Sequence, residues 1–162
     1  MMQRYHAYYD SPLGLLSIEC SDEHLMAVLF AKDRILPEAV HPILQNTIQQ
    51  LSEYFEGQRK EFDLPLGQEG TGFQQKVWEL LYRIPFAKTI SYQQLSKQYG
   101  DVKAIRAIAS ANGKNNLSII VPCHRVIGSD QSLTGYAGGL WRKKWLLEHE
   151  LKHSGQGQAT LF

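Results

Sequence analysis

Cys123 stands between Pro122 and His124, with Arg125 and Val126 following. A free cysteine has a pKa near ~8.5 and is mostly thiol at neutral pH. A neighbouring imidazole can accept its proton, and a guanidinium can favour the thiolate. Successive residues of a strand point to opposite faces. Direct contact between Cys123 and His124 therefore needs a turn or a short helix right after Pro122, or a bridging water. A carboxylate would then orient the imidazole, and Glu148 and Glu150 are the acids available downstream in the last helix. On the residues alone the segment reads either as a nucleophilic thiolate or as an ordinary buried thiol.

The elements that must hold this segment can be read from periodicity. Tyr5, Ala7 and Tyr9 alternate with other positions, Ser11-Pro12-Leu13-Gly14 reads as a turn, and Leu16, Ile18 and Cys20 repeat at period two. Residues 25–30 are almost wholly apolar and fit a buried strand. Cys20 sits where a small buried hydrophobe would sit. Pro42 suits the first turn of a helix over 42–56, with Leu44, Ile48, Leu51 and Phe55 on one face and Gly57 at its end. The stretch 58–72 is polar and glycine-rich, which predicts a linker.

The remainder predicts helices. Thr71 with Gln74 and Ser91 with Gln94 are capping-box pairs. The first opens a helix with Phe73, Val77, Leu80, Leu81 and Ile84 as its apolar stripe, stopped by Pro85. The second opens a short helix to about Tyr99, closed by Gly100. Asp101 is placed to cap a third helix through Ile105 and Ile108. Two short helices joined by a tight Gly-Asp turn outline a helix-turn-helix. Residues 112–116 read as a loop, 117–121 as an apolar run too short to assign, 128–139 as a glycine-rich loop and 140–152 as a last helix.

The chain has 162 residues and is 43% hydrophobic, enough for a real core and against wholesale disorder. No apolar run approaches the ~20 residues of a membrane span, and the N-terminal residues lack a secretory pattern. Two cysteines make no disulfide scaffold, and metal-binding spacings such as CxxC or HExxH are absent, so neither metal nor cofactor is expected. A cytoplasmic, reducing location is the expectation. Charge divides the chain: residues 1–70 carry five Lys or Arg against eleven acids, and residues 71–162 carry twelve against five. That asymmetry fits a C-terminal part facing a polyanion, with a dipolar protein lacking such a partner as the bland alternative.

Pro122-Cys123-His124-Arg125-Val126 resembles the active-site signature of the O6-alkylguanine-DNA alkyltransferases (methylated-DNA--protein-cysteine methyltransferases). Phe73-Gln74-Gln75-Lys76-Val77-Trp78, Thr89 through Leu95, Arg106-Ala107, Asn112-Gly113, Gly135 through Leu140 and Lys144 through Glu150 look like the same family, in the same order. The resemblance is close over about 71–151 and looser before it. It implies an α/β (α+β) protein: a 1–68 domain with a small antiparallel sheet and a helix, ribonuclease H-like, and a mostly helical 69–162 domain carrying the helix-turn-helix. This is the outline of the stand-alone repair form.

The resemblance also implies roles. Cys123 would take the alkyl group from O6-alkylguanine, and from O4-alkylthymine, once per molecule. His124 would act on it through water, with Glu150 holding His124. Tyr92 would crowd the target phosphate and offer its hydroxyl to guanine N3. The carbonyls of Cys123 and Val126, the Ala137 N–H and the Tyr136 ring would form the base pocket. Asn115 would hold the turn before the active-site segment, and Arg125 would tie that segment to nearby carbonyls. Arg106 would fill the stack after the base is flipped, with Ala107, Ala109, Ser110 and Ala111 letting the helix approach the minor groove. Lys103, Lys114, Arg142, Lys143 and Lys144 would contact phosphates, and Trp78, Trp141 and Trp145 would be packing residues. The partner implied is duplex DNA, bound by a monomer, with cooperative assembly left open. Two departures stand out: Asn116 replaces a common proline, and with Cys20 the only N-terminal cysteine a thiolate-rich zinc site is not available. The rival readings are a thiol hydrolase, a non-catalytic DNA-binding module and a transcriptional helix-turn-helix protein.

Overall fold

The structure, a computed structural model, describes residues 3–155 and divides into two compact units. The first comprises residues up to Glu69 together with Asn116–Ile120. Strands β1 (Tyr5–Ser11), β2 (Gly14–Cys20) and β3 (Leu25–Phe30) form an antiparallel sheet in that order. Gly14 takes a φ of 109°, which a Cβ would resist, and closes the β1–β2 hairpin. Leu16, Ile18 and Cys20 all point inward, as their period-two spacing predicts. Helix α1 (Pro42–Phe55) adds Leu44, Leu51 and Tyr54 to the same core.

Strand β1 departs from simple alternation. Ala7 and Tyr8, adjacent in sequence, are both buried, whereas Tyr9 is only half-buried. The cause is the 31–40 segment, which covers the edge of β1. The Ala39 N–H donates to the His6 carbonyl at 2.8 Å, the Tyr8 N–H to Glu38 at 3.0 Å, and the Leu36 N–H to the Tyr8 hydroxyl at 3.1 Å. An otherwise unpaired strand edge is thereby occupied.

The second unit comprises Gly70–Asn115 and the residues from Val121 onward. Helix α2 (Gly72–Tyr82) and helix α3 (Tyr92–Tyr99) each open on the predicted capping box. Gly70 lies so close to the Trp78 ring that a Cβ there would come within 2.5 Å of it. Gly100, with a φ of 103°, ends α3 in the left-handed conformation. Asp101 caps a short 3-10 turn, Val102–Ala104, rather than the following helix α4 (Ile105–Gly113). Residues 112 and 113, expected in a loop, belong to α4, which closes instead on Lys114. Two-residue strands β4 (Ile90–Ser91) and β5 (Val126–Ile127) pair in parallel, and helix α5 (Leu140–Lys152) follows the glycine-rich loop. No described helix is long and apolar enough to cross a membrane.

Candidate active site

After Pro122 the backbone winds into a 3-10 turn, Cys123–Arg125, and enters β5 at Val126. The turn breaks the alternation of a strand, so Cys123, His124 and Arg125 are all buried together. The β4–β5 ladder sets Ile90 opposite Val126 and Ser91 opposite Ile127. Tyr92, the next residue and the first of α3, is thus delivered beside the cysteine segment.

Glu150, fully buried on α5, organises the turn. Its Oε2 lies 2.7 Å from His124 Nε2. Arg125 grips it with two donors, Nε to Oε1 at 2.8 Å and Nη2 to Oε2 at 2.9 Å. The Ala87 N–H adds a fourth bond at 3.2 Å, from a residue whose φ of 64° is in the left-handed region. Arg125 also donates Nη1 to the Ile84 carbonyl at 2.6 Å. Its partners are therefore one carbonyl and one carboxylate, not carbonyls alone.

The protonation pattern follows from this geometry. Burial pushes the Glu150 carboxyl up, but His124 and Arg125 pull it down further, and the net direction is well below the usual range. Burial lowers the His124 pKa, and the opposing pull of Glu150 does not restore it. A neutral imidazole beside a carboxylate must carry its proton on Nε2. Its Nδ1 is then a bare lone pair, and it is buried with no hydrogen-bond partner among the described residues. Such an atom is equipped to accept a proton.

Cys123 differs from the expectation. Burial raises its pKa, and the groups that push back are the Asn115 side chain and the Lys143 charge, rather than its sequence neighbours. Asn115 also donates Nδ2 to the Val121 carbonyl at 2.8 Å, which clasps the end of α4 to the irregular segment entering the turn. Lys143, expected at DNA phosphates, is fully buried. Its Nζ donates to the carbonyls of Val126 at 2.6 Å, Thr134 at 2.7 Å and Gly135 at 3.3 Å. The loss of water lowers its pKa to about 8, against a smaller upward pull from Cys123. The Val126 carbonyl, expected to receive the base amine, thus already carries one donor.

Lys143 was legible on periodicity. With Leu146, Leu147, Glu150 and Leu151 it forms the buried stripe of α5, at helical spacing. Arg142 donates to the Gly138 carbonyl at 3.0 Å and lies over the Trp141 ring, while Lys144 is 3.8 Å from Glu148. Trp141, assigned to packing, is 58% exposed, whereas Trp78 is buried and donates to the Ala111 carbonyl at 2.8 Å. Ala111 accordingly faces the protein interior and not the outer face of α4. Lys103, Arg106, Ala107, Ser110 and Lys114 are exposed, and their spacing puts them on one face. Tyr136 is half-buried and Ala137 exposed in the glycine-rich loop. No group of three or more metal-ligating side chains occurs among the described residues.

Comparison with known proteins gives a consistent result. The family model described as "6-O-methylguanine DNA methyltransferase, DNA binding domain" matches residues 72–152. The one described as "6-O-methylguanine DNA methyltransferase, ribonuclease-like domain" matches residues 4–68. The constitutive methylated-DNA--protein-cysteine methyltransferase of Bacillus subtilis is 43% identical over 83% of this chain and 87% of its own. The Mycobacterium bovis methylated-DNA--protein-cysteine methyltransferase is 41% identical over 94% and 95%. The crystal structure of Mycobacterium tuberculosis O6-methylguanine methyltransferase aligns with a TM-score of 0.84 at 38% identity, covering 93% of this chain and 94% of that one. A Mycobacterium tuberculosis structure in complex with DNA aligns at 0.82 and 41% identity, covering 90% and 93%. On the fold, the cysteine turn and these matches together, the chain belongs to the methylated-DNA--protein-cysteine methyltransferase (6-O-methylguanine DNA methyltransferase) family.

Proposed function

We infer that this protein repairs DNA by direct reversal, moving the alkyl group of O6-alkylguanine onto its own Cys123. The observation that carries the assignment to Cys123 is its setting: a buried thiol in a turn with a histidine held by Glu150, whose Nδ1 is buried with no hydrogen-bond partner among the described residues. The Cys123 sulfur attacks the alkyl carbon, the carbon–O6 bond breaks, and its electron pair stays on guanine. His124 Nδ1 takes the thiol proton through a water, and Tyr92 supplies a proton to guanine N3 as charge builds there. The product is a thioether, which has no route back to thiolate, so each molecule acts once. O4-alkylthymine, with its alkyl group on an equivalent exocyclic oxygen, is the second substrate.

DNA engagement is assigned to the exposed face of α4. Arg106 occupies the gap left by the flipped nucleotide, and Ala107 and Ser110 keep the face low enough for close approach to the minor groove. Lys103 and Lys114 contact phosphates, which position without specifying sequence. The base pocket is formed around Val126, Tyr136 and Ala137. The division of labour falls near residue 69, with the 1–68 domain a scaffold and the 69–162 domain acting as a monomer in the reducing interior of the cell.

The test uses duplex DNA carrying one O6-methylguanine with a labelled methyl group. At most one label should be recovered per protein, on the peptide containing Cys123, and none in a Cys123→Ser variant. Multiple turnovers, or label elsewhere, would refute the mechanism. The same assay on free O6-methylguanine base isolates DNA handling: Arg106→Ala should slow repair of duplex about tenfold or more, while changing the reaction with free base little.

A further inference from the structure

Asn112 lies on the buried side of α4, with Ile108 and Ala111 as its apolar neighbours there. It is 3% exposed, and its Oδ1 is buried with no hydrogen-bond partner among the described residues. An unpaired buried carbonyl destabilises a fold, so leucine, of nearly the same shape, would serve packing better. What the amide does make is one bond: Nδ2 donates to the Tyr92 hydroxyl at 3.4 Å.

Burial is the largest influence on Tyr92 and pushes its pKa up, and hydrogen bonding to the Thr134 side chain and to Asn112 pushes it back. The Asn112 amide is the donor that the geometry directs at the phenol oxygen. An N–H cannot accept a proton, so the phenol's own hydrogen is not taken up by Asn112. Gly135, whose Cβ would lie 3.8 Å from the same oxygen, keeps this side of the loop low beside it.

We propose that Asn112 is a positioning residue for Tyr92: it engages the phenol oxygen from behind, so that the phenol proton is directed at the bound base. The proposal rests on the reading of Tyr92 as donor to guanine N3. In the transfer step the sulfur–carbon bond forms as the carbon–O6 bond breaks, and the freed electron pair goes to guanine. The proton leaves the phenol for N3, the residual negative charge sits on the oxygen that Asn112 holds, and solvent restores the proton afterwards. This accounts for a polar side chain kept at an apolar position.

The experiment is a double-mutant cycle on single-turnover transfer from O6-methylguanine in duplex DNA, at saturating protein. Asn112→Leu should slow transfer about tenfold, the size of one hydrogen bond to developing charge, without weakening DNA binding. In a Tyr92→Phe background the same substitution should change the rate by less than about twofold, because the bond it removes is already gone. Equal losses in both backgrounds, or no loss in either, would overturn the proposal. Should Asn112→Leu fail a thermal-unfolding check, Asn112→Ala enters the same cycle with the same expectation of coupling. If Tyr92→Phe itself leaves the rate unchanged, the donor reading of Tyr92 falls and this proposal falls with it. A slow Tyr92→Phe with an uncoupled partner sinks the proposal alone.

Discussion

The two cysteines of this chain are both buried, yet their surroundings differ in the feature that governs reactivity. Cys20 closes β2 among apolar side chains, and burial, helped by the Asp22 charge, drives its pKa up to about 11. Cys123 suffers the same upward push and its pKa stays above the ordinary thiol value, but the Asn115 side chain and the Lys143 ammonium work against that push. Burial alone therefore makes a thiol inert. A buried thiol becomes a usable nucleophile only where donors and a cation replace the water it has lost. The comparison also separates local from distant causes: His124 and Arg125 adjoin Cys123 in sequence but turn toward Glu150, while the groups acting on the sulfur come from 115 and 143.

The comparison can be strained at three points. Glu150→Gln should have the largest effect, because it leaves the buried Arg125 guanidinium without its carboxylate. The expected cost is about 3 kcal/mol of stability by denaturant unfolding, with transfer activity nearly lost. Next, Lys143→Met should make Cys123 more like Cys20. Transfer at neutral pH should fall about tenfold, because the thiolate loses the cation that favours it. Wild-type activity retained in that variant would remove Lys143 from the account.

The same variant carries a pH signature. Below about pH 8, Lys143 is protonated in both folded and unfolded chains, and its burial cost is fully present. Between about 8 and the ordinary lysine value of 10.5 the unfolded chain binds the extra proton, so this group makes stability rise with pH. The wild-type-minus-Lys143→Met difference in unfolding free energy should therefore climb over that window. The smallest effect is expected at Cys20→Ala, about 1 kcal/mol of stability for a small buried side chain and no change in transfer rate. A slowed rate there would break the contrast between the two thiols.

The capping boxes at Thr71 and Ser91 and the inward faces of β2 and α1 were readable because each is a local rule, satisfied within four residues. The reading failed where tertiary contacts decide. Asn112-Gly113 carries breaker residues, yet α4 runs through them because Asn112 is packed against Tyr92 and the helix finds its carbonyl partners at Lys114. Lys143, which the resemblance puts at DNA phosphates, is carried inside by its helical register with Leu146, Leu147 and Glu150. Ala111 was grouped by its size with the exposed face, but α2 covers it. Tyr8 is buried by a segment about 30 residues downstream, a contact that no periodicity in β1 encodes.

The four donors on Glu150 carry a consequence for the order of events in the cell. They come from the 84–87 turn and from the cysteine turn, whereas the carboxylate that collects them belongs to the last helix described. During synthesis the thiol, its histidine and helix α4 all leave the ribosome before Glu150 does. Until α5 docks, His124 has no group to fix its tautomer and Arg125 has no counter-charge. A nascent or C-terminally clipped chain should therefore hold its one-use thiol in reserve, arming it only when the final helix is in place; trapping ribosome-bound chains of increasing length with labelled O6-benzylguanine would reveal whether labelling begins only after residue 150 is free.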